Sequence, residues 1–233
     1  HSLVNYVDQE MDSLDLYFDS LPDDQELDYV LDYYINRFPK LYDGVICYNM
    51  DGEELHRNGK IYFAYENLPG NSFRSIICGK YYMPEGRYQV YIARTFRYQG
   101  EWMNAVYAMN LSRIHQMIVA PVKIGGGGYS VVKDEDLAII MHHAPDQIGM
   151  DAVYDRSVRY PQLDLTDLFD WINMQKEQDS GYRIITSYVW DDPALPQLQR
   201  LVAYTKIHLR GDCWIVNSTL PYEELDTPLA NMT

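Results

Sequence analysis

The chain has 233 residues, 47% hydrophobic and 23% charged, which fits a folded protein of one or two domains and excludes a disordered one. Nineteen Lys and Arg against 34 Asp and Glu leave a formal charge of −15, which argues against nucleic acid and against an anionic membrane surface as partners. The longest uninterrupted apolar run, Met117 to Val122, has six residues, and a spanning helix needs roughly 20. The chain opens on His1 with no signal peptide and reads as a soluble piece excised from a longer protein.

Val4, Val7, Met11, Leu14, Phe18 and Leu21 are spaced 3, 4, 3, 4, 3, which predicts a helix with a heptad seam. Its other face carries Asp8, Glu10, Asp12, Asp15 and Asp19. The seam fits either a helix docked on its own domain or the end of a longer helix that pairs with a second chain. Pro22 breaks it, and Asp23–Asp24 opens a second helix whose stripe is Leu27, Val30, Leu31, Tyr34, Ile35 and Phe38. Residues 44–48 and 53–55 then read as a hairpin on an Asp51-Gly52 turn, and residues 60–86 as irregular. Residues 88–97 and 102–109 form a second antiparallel pair around Gln99-Gly100. A short helix follows, capped by Asn110 or Ser112 and ended by Pro121.

The plan then repeats. Gly125–Gly128 precedes a strand at 129–132, a polar turn over Lys133–Asp136 and a return strand at 137–141. A helix at 165–178 shows Leu165, Leu168, Phe169 and Ile172 on one face, and strands follow at 183–189, 201–209 and 214–218. The fold class is α+β: a long N-terminal helix and two modules, each an antiparallel sheet with flanking helices. The expected divisions are N-terminal helices at 1–40, a first module at 41–121 and a second at 122–233.

Several chemistries are looked for and set aside. Cys47, Cys78 and Cys213 have no metal spacing; they read as buried thiols, with a Cys47–Cys78 bridge left open. Gly125–Gly128 lacks the Gly-Lys-Ser/Thr of a phosphate loop and reads as a flexible turn between modules. His142 and His143 with Asp146 could suggest a metal, but adjacent strand residues point to opposite faces, so the two do not easily share an ion, and a polar strand end is the default reading. No metal, no cofactor and no catalytic residue is expected. The 22 tyrosines against 6 Phe and 4 Trp suit pockets and interfaces.

The run from Gly127-Gly-Tyr-Ser-Val-Val-Lys-Asp134 through Ile139-Ile-Met-His-His143-Ala-Pro145 to Gly149 resembles a phrase of double Cache domains, the tandem PAS-like sensor regions of bacterial receptors. The exit, Trp214-Ile-Val-Asn-Ser218-Thr-Leu-Pro221-Tyr222-Glu223-Glu224-Leu225, is similar to theirs, as are residues 88–96 and 104–114. The resemblance covers nearly the whole chain. It implies an extracytoplasmic part of a cell-membrane protein, a homodimer in the full-length receptor, whose spanning helices lie outside this chain. A small ligand would sit in the first, membrane-distal module and pass a helix displacement to a histidine kinase, diguanylate cyclase or chemoreceptor output. The alternatives are a protein-interaction or pocketless relay domain, or a hydrolase with an acidic cleft.

Amino-acid-binding Cache members carry Arg-x-Trp-Tyr, Tyr-x-Asp and a final Asp. The matching stretches here are Lys60-Ile-Tyr62-Phe63, Tyr81-Tyr-Met83 and Asn110. Lys is a point charge without the guanidinium fork, and Met83 and Asn110 cannot pair an ammonium by charge. The resemblance thus implies a ligand site at Lys60, Tyr62, Phe63, Tyr81, Tyr91 and Asn110, for a carboxylate or a neutral molecule rather than an α-amino acid.

Overall fold

Tight turns join strands that neighbour in sequence, and the computed structural model, which describes residues 2–22, 24–70 and 72–226, accordingly holds two five-stranded antiparallel sheets. Their contacts divide the chain into one unit of His1–Ile114 with His208–Asp212 and another of His115–Ile207 with Cys213–Thr233. No helix among the described residues is long and apolar enough to cross a membrane.

The first unit opens with α1 (Ser2–Asp19) and α2 (Leu27–Arg37). Its sheet comprises β1 (Tyr42–Asn49), β2 (Glu54–Gly59), β3 (Ile76–Met83), β4 (Arg87–Tyr98) and β5 (Glu101–Asn110), in the order β2-β1-β5-β4-β3. Strand alternation sorts the side chains. Val45, Ile92 and Tyr107 are register partners on one face, and Phe18 packs there on Phe96 and Tyr107 at ring distances of 4.5 and 6.2 Å. The heptad seam is therefore spent inside its own unit: Val7, Met11 and Leu14 are fully buried, each worth about 1.5–3 kcal/mol. Ile46, Val106 and Ala93 occupy the opposite face, beneath Ile61 and Phe63. Short α3 (Leu111–Ile114) starts where the Asn110 side chain accepts the Arg113 N–H at 3.2 Å, and runs into a π-turn at His115–Val119.

The second unit holds β6 (Tyr129–Asp134), β7 (Ile139–Met141), β8 (Ser180–Ser187), β9 (Leu198–Leu209) and β10 (Asp212–Pro221), in the order β7-β6-β10-β9-β8. With β1–β5 matched to β6–β10, that is the order of the first sheet. Helix α4 (Tyr154–Arg159) begins at Asp151, whose Oδ1 accepts the Val153 and Tyr154 N–H groups. Helix α5 (Thr166–Glu177) buries Leu168, Trp171, Ile172 and Gln175, and Trp171 meets Tyr204 edge-on at 5.1 Å.

Several expectations need correction. The 60–86 stretch contains β3, whose alternation is hidden by a register shift between Ile77 and Lys80. Helix α4 was not foreseen. Phe169 is exposed, because α5 turns Trp171 inward instead. Asp15 is buried, not on a solvated acidic face. The second helix starts at Leu27; Asp24 precedes it and Asp23 lies outside the described residues. The glycine run is tied rather than loose: Gly126 and Gly127 N–H donate to Glu224 Oε2 and Oε1 at 2.6 and 2.7 Å. A Cβ on Gly128 would fall 2.1 Å from the Ile124 carbonyl oxygen, so only glycine fits. All three cysteines are free thiols.

Candidate ligand sites

The six residues singled out fall into two sets: ring contacts and a hydrogen bond join Tyr62, Phe63, Tyr81 and Tyr91, and Gln89 and Asp43 link Lys60 to Asn110. The Tyr62 and Tyr81 rings lie 5.0 Å apart at 30°, both exposed. Beneath them Phe63 packs edge-on against Tyr91 at 5.2 Å, and Tyr91 Oη donates to the Tyr62 carbonyl at 2.9 Å. Burial pushes the Tyr91 hydroxyl up to about 12. Gln89 Nε2 donates both to the Lys60 carbonyl at 2.9 Å and to Asp43 Oδ2 at 2.8 Å, and Asn110 Nδ2 donates to Asp43 Oδ1 at 3.2 Å. Asn110 is thus committed to Asp43 and to capping α3. The exposed Lys60 ammonium reaches Glu85 at 2.9 Å, a bond that raises its pKa. Tyr62 and Tyr81 form an open aromatic platform with Phe63 and Tyr91 as its floor; none of the six lines the cavity described next.

That cavity, of about 60 Å³, lies in the second unit. Register pairs Val131 with Asn217 and Tyr129 with Thr219, so these and Lys133 project from the face that α5 covers. Lys133 Nζ donates to Gln175 Oε1 at 2.8 Å and Asn217 Oδ1 at 3.4 Å. Arg156 comes from α4; its guanidinium sits 3.7 Å from the Trp190 ring centroid, and its Nε donates to Gln147 Oε1 at 3.0 Å. His142 Nδ1 accepts the Ala144 N–H at 2.8 Å. Lys133 and Arg156 are each 4% exposed and His142 3%. Burial, reinforced by the Arg156 charge, holds Lys133 and His142 well below their ordinary pKa values, and burial lowers Arg156 to about 10.

The His142 and His143 rings stack at 4.4 Å, contrary to the opposite-face expectation, because β7 ends at Met141 and strand alternation no longer applies. Among the described residues no group of three or more His, Cys, Asp and Glu side chains is placed to hold a metal. Sequence reading missed this cavity because Lys133 looked like part of a polar turn. The available signal was parity: Tyr129, Val131 and Lys133 share one face of β6.

No family model matches the chain, and no curated protein matches it. Solved structures do. The extracellular domain assigned to histidine kinase vpHK1S-Z8 shares 15% identity over 96% of this chain and 89% of its own, with a TM-score of 0.64. The ligand-binding domain of the Pseudomonas aeruginosa PAO1 amino-acid chemoreceptor PctB, in complex with L-arginine, shares 14% over 98% and 92%, with a TM-score of 0.61. That of the Pseudomonas fluorescens chemoreceptor CtaA, in complex with L-serine, shares 12% over 95% and 92%, with a TM-score of 0.59. The chain has the α+β fold of Cache-type extracellular ligand-binding domains, in both its sheets and its N-terminal helix.

Proposed function

We propose that this chain is the extracytoplasmic small-molecule-sensing part of a membrane receptor, with a histidine kinase, diguanylate cyclase or chemoreceptor output, and has no catalytic role of its own. The observation that carries it is the fold, shared over nearly the whole chain with the ectodomains of a histidine kinase and of chemoreceptors that bind amino acids. In this reading the ligand lies on Tyr62 and Tyr81, over Phe63 and Tyr91, with Lys60 at the edge and Asn110 bracing Asp43 behind. It is a carboxylate or a neutral ring-bearing molecule, since Met83 and Asn110 supply no charge for an ammonium. Ligand binding shifts the receptor only by its differential affinity for two states. The receptor works as a homodimer, and the moving part is a helix carried into the membrane.

A thermal-shift screen against carboxylates, amines, amino acids, nucleobases and sugars tests this. A ligand at 100 times its Kd adds about 2.7 kcal/mol, a shift of several degrees. The expected hit disappears in Tyr62→Ala and Tyr81→Ala, both exposed and neutral to folding. A hit untouched by either change and by Lys60→Ala removes the first-module site. A second reading, a protein partner on the open tyrosine pair, rests on the 53% exposure of Tyr62 and is favoured by a blank screen.

A further inference from the structure

We propose that the second module holds a binding site of its own, and that the cavity lined by Lys133, Arg156 and His142 takes a small aliphatic carboxylate. Four observations point there, and none depends on the first-module reading.

The first is uncompensated charge. Taking a cation out of water is costly unless an opposite charge meets it. Among the described residues, no carboxylate forms an ion pair with Lys133 or Arg156. The chain has 34 acidic residues, yet none of the described ones lines this cavity. Where the protein buries a cation in its first unit it does the opposite: Arg94 meets Asp15 at 3.2 Å and Asp19 at 2.5 Å. Asp151 and Asp146 act on these cations only from beyond the lining and without pairing, so the cavity itself leaves a negative charge to come from outside.

The second is open hydrogen-bonding capacity. His142 Nε2 and Thr219 Oγ1 are buried without a partner, and both residues line the cavity. The third is the opposite wall. Val131, Leu168, Trp171, Ile185 and Val202 offer an apolar surface that an inorganic anion would leave unused. The fourth is size. About 60 Å³ is room for a few water molecules, so a carboxylate of two or three carbons fits and a nucleotide or sugar does not. With no acid in the lining, nothing there receives an ammonium, so an α-amino acid is disfavoured.

The test uses the chain in buffer free of organic acids. Acetate, propionate and lactate are titrated separately by thermal shift, with chloride and sulfate at matched ionic strength. Expected is a saturable rise of several degrees with at least one carboxylate and none with the inorganic anions. Lys133→Met should keep or raise the Tm of the unliganded protein and abolish that rise, because the lysine is a burden until an anion arrives. Tyr62→Ala and Tyr81→Ala should leave it intact, so this site and the first-module reading fail separately. No saturable response, an equal response to sulfate, or a response that survives Lys133→Met overturns the proposal. If that variant is less stable than the parent or does not fold, the near-isosteric Thr219→Val decides: a weakened carboxylate response supports the site, and an unchanged one overturns it.

Discussion

The two sheets share one strand order and one central face each, but they fill that face in opposite ways. In the first, Ile46, Val106, Ala108 and Ala93 are apolar, and Ile61, Phe63, Tyr65 and Leu68 plug the space above them. In the second, β6 and β10 project Lys133, Asn217 and Thr219 into a space that remains open. Buried charge differs in the same sense. Asp15, in the first unit, accepts the Ser75 N–H at 2.8 Å and pairs with Arg74, Arg94 and Arg210. These hydrogen bonds hold its pKa below the ordinary carboxylate value despite the opposing effect of burial. In the first unit the buried cation has carboxylates in contact with it; in the second, among the described residues, Lys133 and Arg156 have none in an ion pair. An identical topology therefore says nothing about where a ligand goes, and the side chains of the central face decide it.

Breaking the satisfied side gives the largest effect. Asp15→Ala removes the buried carboxylate shared by Arg74, Arg94 and Arg210 and leaves Arg94 with Asp19 alone; losing one partner of a buried pair costs about 3–5 kcal/mol, and chemical denaturation should show the loss. It has the opposite sign to Lys133→Met, and equal signs would erase the contrast between the modules. Phe63→Ala removes the plug and should cost about 3 kcal/mol, the low end for a buried phenylalanine. It should also open the first module to small aromatic molecules, detectable as a new thermal shift with indole that the parent chain lacks.

The smallest effect is pH-linked. His142 is held neutral by burial, with Arg156, His143 and His115 adding repulsion and no carboxylate among its partners. His115 is lowered by burial and then by His143; burial also lowers His143, against the pull of Asp191 at 3.3 Å. Groups whose folded pKa is depressed bind protons in the unfolded chain first. Their stability is fully present above about pH 6.5 and is lost as pH falls toward the folded-state values. Each contributes a slope of at most about 1.4 kcal/mol per pH unit. His142→Asn, which keeps an acceptor for the Ala144 N–H, should flatten the decline of Tm between pH 6.5 and 5. An unchanged decline would put its origin elsewhere.

What could be read from the residues alone was whatever is encoded locally. Asp51-Gly52 and Gln99-Gly100 place positive φ where tight turns require it, with φ of 86° at Gly52, 48° at Gln99 and 90° at Gly100. The stripe of α1 predicted Val7, Met11, Leu14 and Phe18 as buried, and that of α2 Val30, Leu31 and Tyr34, while Leu27 and Ile35 are only partly buried and Phe38 is exposed. The aromatic members of the first candidate site do come together. What escaped was polar and long-range. Lys133 finds Gln175 and Asn217 at separations of 42 and 84 residues, and its parity with Tyr129 and Val131 was the one local sign that it faces inward. Asp15 looked like one more acid on a solvated helix, and only Ser75 and three arginines from distant segments turn it inward. β3 was lost because a bulge breaks the period by which strands are recognised.

The glycine run has a further consequence. Its consecutive N–H groups form an anion-binding concavity, and the anion is the chain's own Glu224, near the end of the described residues. Charge-assisted bonds of this kind contribute about 1.5–3 kcal/mol each. The run leads directly into β6, the strand that carries Lys133. Beyond the last β6–β10 pair, Thr219–Tyr129, the Glu224 carboxylate thus fastens the outgoing segment to the turn before β6, like a rope to a cleat.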